Sequence, residues 1–247
     1  MKPILLIPAR LAATRLPAKP LADIAGMPMI VRVMRQAIAA ELGPVVVAAG
    51  EKEIVAVVEA AGGKAVLTDP ALPSGSDRIH AALDALDPEG HYDVAVNLQG
   101  DLPALDPGQI RKVVAALEES GVDIATLAAP ITDPAERDNP NVVKAVVAWR
   151  PDGQLGRALY FTRGRAPFGE GPLFHHVGLY AYRREALSRF VALLPSPLEK
   201  REKLEQLRAL EANMSIAVAR VDSVPLSVDT PADLAKAIAF FARKPSS

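Results

Sequence analysis

The sequence predicts an open, doubly wound α/β fold of three layers, with helices on both faces of a mostly parallel sheet. Short apolar runs alternate with segments in which apolar residues recur at helical spacing, a pattern typical of strands buried between helices. The chain has 247 residues, half of them hydrophobic and 23% charged. Such a chain is long enough to bury a large core.

The strands are predicted from apolar runs too short for helices. The runs that continue on both faces, as buried parallel strands do, are residues 4–7, 45–48, 94–98 and 124–127. A later run, residues 177–182, also predicts a strand. Apolar residues at helical spacing predict helices over 28–38, 54–61, 79–86, 110–117, 198–211 and 232–241.

The middle of the chain departs from this alternation. Residues 132–172 are rich in proline, glycine and charge, and they contain one short apolar run at 142–147. We therefore predict a single domain over residues 1–247, with a small subdomain attached around 130–185.

Composition excludes several classes of protein. The chain has no cysteine, so a disulfide scaffold, a thiolate metal site and a cysteine nucleophile are ruled out. Its formal net charge of −1 does not favour a nucleic-acid or membrane-surface binder. The sequence has no apolar stretch long enough for a membrane helix. We expect a soluble cytoplasmic protein with no nucleic-acid partner and no membrane insertion.

A basic loop follows the first predicted strand. Arg10, Arg15 and Lys19 lie between Pro8 and Pro20, where open α/β sheets bind their ligands. The sequence contains neither GxxxxGK[ST] nor GxGxxG, which argues against a Walker loop and an NAD-binding fingerprint. The residues by themselves fit a triphosphate site and a solvated loop equally well.

Two carboxylates follow in separate places. Asp101 comes directly after a buried strand, and Asp229 precedes a helix. Together they have the oxygen ligands that Mg²⁺ prefers. The plainer interpretation of Asp101 is a turn residue, and that of Asp229 is a helix cap, which spacing alone favours. Thr230 is the other candidate for this cap.

Other polar segments leave similar alternatives. Ser74 and Gly75 fit either a helix start or a nucleobase pocket, and the residues alone favour the helix start. His175 and His176 are adjacent on a predicted strand, so they point to opposite faces and do not chelate one ion; we expect one of them to be exposed. Lys144 fits either a phosphate contact or a structural role.

The motifs, taken together, resemble the 3-deoxy-manno-octulosonate cytidylyltransferase (CMP-KDO synthetase) family of nucleotidyltransferases. They occur in the family's order from Ile7 to Leu234 and cover nearly the whole chain. The strings are IPAR (7–10), TRLPAKPL (14–21), GMPMI (26–30), SGSDR (74–78), NLQGD (97–101), ALYFTR (158–163), HVGLY (176–180), EKLEQLR (202–208) and VDTPADL (228–234). The chain departs from the family at Leu102, where a glutamate is usual, and at Gly50, where an aspartate is usual.

The resemblance implies a role for each matched residue. Catalysis falls to Arg10, Lys19 and Asp101, and the metal ligands are Asp101 and Asp229. CTP binding falls to Ala9, Arg10, Arg15, Lys19, Ser74, Gly75, Arg78 and Gln99. The sugar acid is bound by Arg163, His176, Tyr180, Glu205 and Gln206. The implied cofactor is Mg²⁺, and the implied assembly is a homodimer in which the 130–185 segment serves dimerisation or sugar binding.

The implied reaction transfers CMP from CTP to the anomeric hydroxyl of 3-deoxy-D-manno-octulosonate (KDO), releasing pyrophosphate, in a cell that makes lipopolysaccharide. One alternative is another sugar acid, such as sialic acid or an amino-substituted KDO. A second is a nucleotide-binding protein without turnover, against which the two carboxylates argue. An NAD-dependent enzyme is disfavoured by the missing glycine fingerprint.

Overall fold

The computed structural model describes residues 1–12 and 16–243. In chain order the strands are β1 (Pro3–Ala9), β2 (Val45–Ala49), β3 (Lys64–Leu67), β4 (Val94–Asn97), β5 (Ile124–Pro130), β6 (Lys144–Trp149), β7 (Leu155–Thr162), β8 (Phe174–Arg183) and β9 (Ile216–Arg220). The α-helices are α1 (Met29–Ile38), α2 (Lys52–Ala60), α3 (Gly75–Leu86), α4 (Pro107–Ser120), α5 (Arg184–Ala192), α6 (Pro197–Glu202), α7 (Leu207–Glu211) and α8 (Pro231–Ala242). The chain divides into two compact units, Met1–Ile110 with Pro225–Ser247 and Arg111–Val224.

The first unit carries the predicted parallel sheet. Its strand order is β3-β2-β1-β4, and every pairing between these strands is parallel. Residues 4–7 of β1 are all buried, although successive side chains point to opposite faces, so both faces of the strand are covered. Parallel strands have their carboxyl ends at one edge, and the loops that follow β1 and β4 meet there.

The second unit has a mixed sheet. Its order is β8-β5-β9-β7-β6; β5 and β9 run parallel, while the other pairings are antiparallel, including one between β6 and β8. The α/β class is thus confirmed, whereas a sheet whose pairings are all parallel is found only in the first unit. One of the antiparallel pairings has a local reason: a short turn joins β6 to β7, and strands joined by a short turn pair antiparallel.

The prediction of one continuous helix over residues 198–211 is wrong. The structure has two short helices there, because α6 ends at Glu202 and α7 begins only at Leu207. Lys203, between them, has a φ of 56°, which ends an α-helix. Arg208 then reaches back to Glu199, with Nε 2.8 Å from Oε2, and both side chains are largely buried. This tertiary ion pair decides the local path, which the helical spacing of apolar residues does not reveal.

The predicted subdomain at 130–185 lies inside the second unit. Its part in dimerisation or sugar binding, and the description of residues 1–247 as one domain, remain predictions. Among the residues that the structure describes, each helix is too short or too polar to cross a membrane.

Candidate active site

A cavity of about 290 Å³ opens in the first unit at the carboxyl ends of β1 and β4. It gathers segments that are far apart in sequence: the loop after β1, the start of α3 and the turn after β4. The predicted CTP-binding and catalytic residues that line it are Ala9, Arg10, Lys19, Ser74, Gly75, Arg78, Gln99 and Asp101. Arg15, predicted to contact the triphosphate, lies outside the described residues.

Lys19 joins the two predicted metal ligands. Its Nζ lies 2.8 Å from Oδ2 of Asp101 and 2.9 Å from Oδ1 of Asp229. Burial lowers the pKa of Lys19, but the two carboxylates outweigh that effect and raise it, so the ammonium stays charged at neutral pH. Residues separated by more than 200 positions thus form one charged cluster.

The residue that caps the helix after Asp229 is its neighbour, Thr230. The N-cap of α8 is Thr230, whose hydroxyl accepts the N–H of Asp233, while the Asp233 side chain accepts the N–H of Thr230 in return. The helix-cap interpretation of Asp229 is therefore wrong. Val228, the preceding residue, donates its N–H to the carbonyl of Asp101 at 3.0 Å, which holds the two acidic segments side by side.

The beginning of α3 forms another wall of the cavity. Ser74 is the N-cap, and its hydroxyl accepts the N–H of Asp77 at 3.2 Å. Gly75 permits a close approach to β1, since a Cβ there would lie 3.2 Å from Cγ of Pro8. The first-turn amides of a helix attract anions, so this wall suits a phosphate or a carbonyl-bearing ring.

Arg78 is buried, and its guanidinium holds the loop that precedes α3. Nη1 donates to Oγ1 of Thr68 at 2.6 Å and to the carbonyl of Asp69 at 3.1 Å, and Nη2 donates to the carbonyl of Pro70 at 3.3 Å. Burial, and then the nearby charge of Arg10, lower its pKa. Arg78 therefore shapes the cavity through a loop that sequence reasoning had not included.

The donor set of the charged cluster fits Mg²⁺. Two carboxylates converge on a single cation, the Lys19 ammonium, so the site already favours a positive charge between them. Mg²⁺ commonly takes one or two carboxylates and completes its shell with phosphate oxygens and water. In the described part of the chain no group of three or more His, Cys, Asp or Glu side chains could hold a metal.

In the second unit, His176 is buried on β8 and its Nε2 lies 3.0 Å from Oγ1 of Thr126. The single proton of the Thr126 hydroxyl is directed to the carbonyls of Val177 and Leu179. The hydroxyl oxygen is therefore left to accept a hydrogen bond from His176, which favours the tautomer with its proton on Nε2. Burial, and then the neighbouring His175, lower the pKa of His176 to about 3. A neutral His176 can hydrogen-bond to a sugar acid but adds no charge.

The two adjacent histidines have different surroundings, as the strand geometry predicted. Nδ1 of His175 lies 3.7 Å from a carboxylate oxygen of Glu136, and its side chain is 19% exposed. The expectation that one of the pair is exposed is wrong, because His176 is buried and His175 is half-buried. Tyr180 lies near His176, with ring centroids 5.5 Å apart, and burial raises the pKa of its phenol.

Arg163 is engaged by backbone carbonyls at the end of β7. It donates to the carbonyl of Glu202 at 2.8 Å and to that of Pro140 at 3.0 Å, with Lys203 further away at 3.4 Å. The Glu202 carboxylate accepts the N–H of Arg163 at 2.9 Å. Arg163 thus fixes the end of α6, two to three residues before the predicted sugar ligand Glu205.

Glu205 and Gln206 follow the break between α6 and α7. Gln206 is buried, and Oε1 of Glu205 lies 3.9 Å from the Arg208 guanidinium. Lys144 is fully buried; its ammonium donates to the carbonyl of Asn139 at 2.7 Å and lies 3.4 Å from that of Arg163. These contacts favour the structural role of Lys144 over the phosphate contact.

Comparison with known proteins now decides the family. The family model described as cytidylyltransferase matches residues 4–216. A 3-deoxy-manno-octulosonate cytidylyltransferase of Parvibaculum lavamentivorans is 66% identical over 242 residues, which are 98% of this chain and 93% of the relative. Its namesake in Rhodospirillum centenum is 64% identical, over 95% of this chain and 91% of the relative. This chain belongs to the 3-deoxy-manno-octulosonate cytidylyltransferase family.

Solved structures agree with this assignment. A CMP:2-keto-3-deoxy-manno-octonic acid synthetase in complex with CTP superposes with a TM-score of 0.91 at 36% identity, covering 98% of this chain and 99% of the other. A cytidylyltransferase of Leptospira borgpetersenii reaches a TM-score of 0.66 at 14% identity, covering 100% of this chain and 89% of the other, a likeness of fold only.

Leu102 and Gly50, the two residues that depart from the 3-deoxy-manno-octulosonate cytidylyltransferase pattern, each fit their surroundings in the structure. Leu102 is buried, so an apolar side chain suits the position. Gly50 is crowded, because a Cβ there would lie 3.1 Å from Nη1 of Arg78 and 3.3 Å from Cβ of Arg10. Sequence reasoning also missed Leu72, Pro20 and Gly100 in the cavity wall; small and apolar residues carry no chemical signal by which a motif search would find them.

Proposed function

We propose that this chain transfers CMP from CTP to the anomeric hydroxyl of KDO, releasing pyrophosphate, as the family to which it belongs implies. The observation that carries the proposal is the 66% identity to a 3-deoxy-manno-octulosonate cytidylyltransferase over 98% of the chain. The cavity of the first unit has the chemistry that such a reaction needs: cations for a triphosphate, helix amides and the Asp101 carboxylate, with Asp229 joined to it through Lys19.

In the proposed reaction the anomeric oxygen forms a bond to the α-phosphorus of CTP, and the bond from that phosphorus to the bridging oxygen breaks. Pyrophosphate leaves, and the hydroxyl proton goes to solvent. Arg10 and Lys19 neutralise charge on the triphosphate, a role we extend to Arg15. The Ser74–Gly75 helix start and Gln99 orient the nucleotide, and catalysis is by position and electrostatics.

We propose Asp101 and Asp229 as the ligands of Mg²⁺, which would neutralise developing phosphate charge and favour the ionised hydroxyl. The sugar acid would be held by Arg163, His176, Tyr180, Glu205 and Gln206. A homodimer and a cytoplasmic location are further proposals, which rest on the family resemblance; sedimentation of the purified chain would test the dimer.

The deciding experiment measures pyrophosphate release from CTP, ATP, GTP or UTP, each with and without KDO. We expect release that requires both CTP and KDO, is abolished by EDTA and returns with Mg²⁺. Release with sialic acid or an amino-substituted KDO but not with KDO would reject the sugar and keep the reaction class. No release with any sugar acid, from protein that binds CTP, would reject turnover itself.

A further inference from the structure

Glu51 makes an unusual contact for a residue in its position. It is the N-cap of α2, where a side chain typically accepts an amide of its own helix, yet it makes no such bond. Instead its Oε2 accepts the N–H of Leu11 at 2.9 Å, across 40 residues of sequence. The carboxylate thus ties the loop after β1, which carries Arg10, to the end of β2.

The surroundings of this bond are tightly packed. Gly50 donates its N–H to the carbonyl of Ala9 at 2.9 Å, and the space beside its Cα is filled by Arg10 and Arg78. The two guanidinium groups repel each other: the charge of Arg10 lowers the pKa of Arg78, while that of Glu51 raises it. Glu51 therefore holds the loop by a hydrogen bond and offsets the repulsion between the cations beside it.

We propose that Glu51 is a positioning residue for the triphosphate-binding loop: it fixes the backbone at Leu11 and so sets where Arg10 meets CTP. The proposal rests on the proposed function and extends it to a residue with no assigned role. Arg10 is exposed, so without this tie the guanidinium would lose the fixed geometry on which its contact with phosphate depends.

Steady-state kinetics test the proposal with three variants. Glu51→Ala removes the acceptor and should raise KM for CTP about tenfold, with kcat and KM for KDO within twofold of wild type. Glu51→Gln keeps an acceptor oxygen and should restore KM for CTP to within about threefold of wild type. Glu53→Ala, which removes an exposed carboxylate from the first turn of the same helix, should match wild type.

Two kinetic results would overturn the proposal: a normal KM for CTP in Glu51→Ala, or a defect in Glu51→Gln as large as that in Glu51→Ala. A second measurement needs no turnover. Hydrogen exchange of the Leu11 amide should be at least about tenfold faster in Glu51→Ala than in wild type, and equal rates would reject the tie. A wild-type chain that exchanges slowly at Leu11 but does not turn over CTP would reject only the proposed function.

Discussion

The polar groups of the two units are satisfied in opposite ways. In the first unit Lys19, which lines the cavity, pairs with both Asp101 and Asp229, and the three side chains are 17%, 27% and 39% exposed. In the second unit His176 and Lys144 are buried against hydroxyl and carbonyl groups of the protein itself. The first set can exchange partners with a ligand, whereas the second set is built into the fold.

This difference predicts how substitutions divide between activity and stability. Partly exposed ion pairs add little to the free energy of unfolding, so the charged cluster can be altered without unfolding the chain. A buried polar group that loses its partner carries the full cost of desolvation. Substitutions in the first unit's cluster should therefore act on turnover with little loss of stability, whereas those of His176 and Lys144 should lower stability, whatever their effect on binding of the sugar acid.

The largest expected effect is that of Asp101→Ala. Removing a preorganised charged group should lower kcat about 10²- to 10³-fold, while the melting temperature stays within about 3 °C of wild type, since the carboxylate is partly exposed. Pyrophosphate release and thermal unfolding measure the two quantities. Asp84→Ala, which removes an exposed carboxylate from α3, is the matched control.

Near-normal turnover in folded Asp101→Ala protein would contradict the catalytic role of the cluster. A collapse of the melting temperature would instead contradict the contrast between the units, because it would make the cluster a structural one.

His176 should make stability depend on pH in the second unit. Its folded-state pKa is about 3, against an ordinary 6.5, so the unfolded chain binds the proton first as pH falls. The free energy of unfolding should therefore fall below pH 6.5, by up to about 1.4 kcal/mol per pH unit, until pH approaches 3. Above pH 6.5 this group should have no effect.

Urea unfolding of wild type and of His176→Phe, between pH 7.5 and 4.5, tests this prediction. Both proteins have the same acidic groups, so the difference between their curves gives the contribution of the His176 imidazole to the free energy of unfolding. The variant should show the smaller loss of stability on acidification. Parallel curves for the two proteins would mean that the imidazole takes up its proton as readily in the folded chain as in the unfolded one, and would contradict the lowered pKa.

The contrast also explains what could be predicted from sequence. Asp101 follows a strand of the parallel sheet, at the edge where such sheets bind ligands, so it could be predicted as a site residue from its position. Asp229 precedes α8, and only the family resemblance of the VDTPADL motif predicted it as the partner of Asp101. The Lys19 bridge between them could not be predicted, because it depends on how a loop folds. The break after Glu202 likewise follows from the ion pair of Arg208 with Glu199, a tertiary contact that helical periodicity cannot show.

The smallest effect expected is also the one that separates two adjacent residues. Thr230→Ala removes the N-cap of α8 and should cost about 1 kcal/mol of unfolding free energy, while kcat stays within about twofold of wild type, because the side chain of Asp229 makes the contact with Lys19. Asp229→Ala should do the reverse, sparing stability and reducing turnover. Chemical denaturation of the two variants measures the free energy of unfolding, and pyrophosphate release measures kcat. If Thr230→Ala lost turnover as severely as Asp229→Ala, the cap would be needed to aim the carboxylate, and the division between folding groups and ligand groups would fail within the first unit.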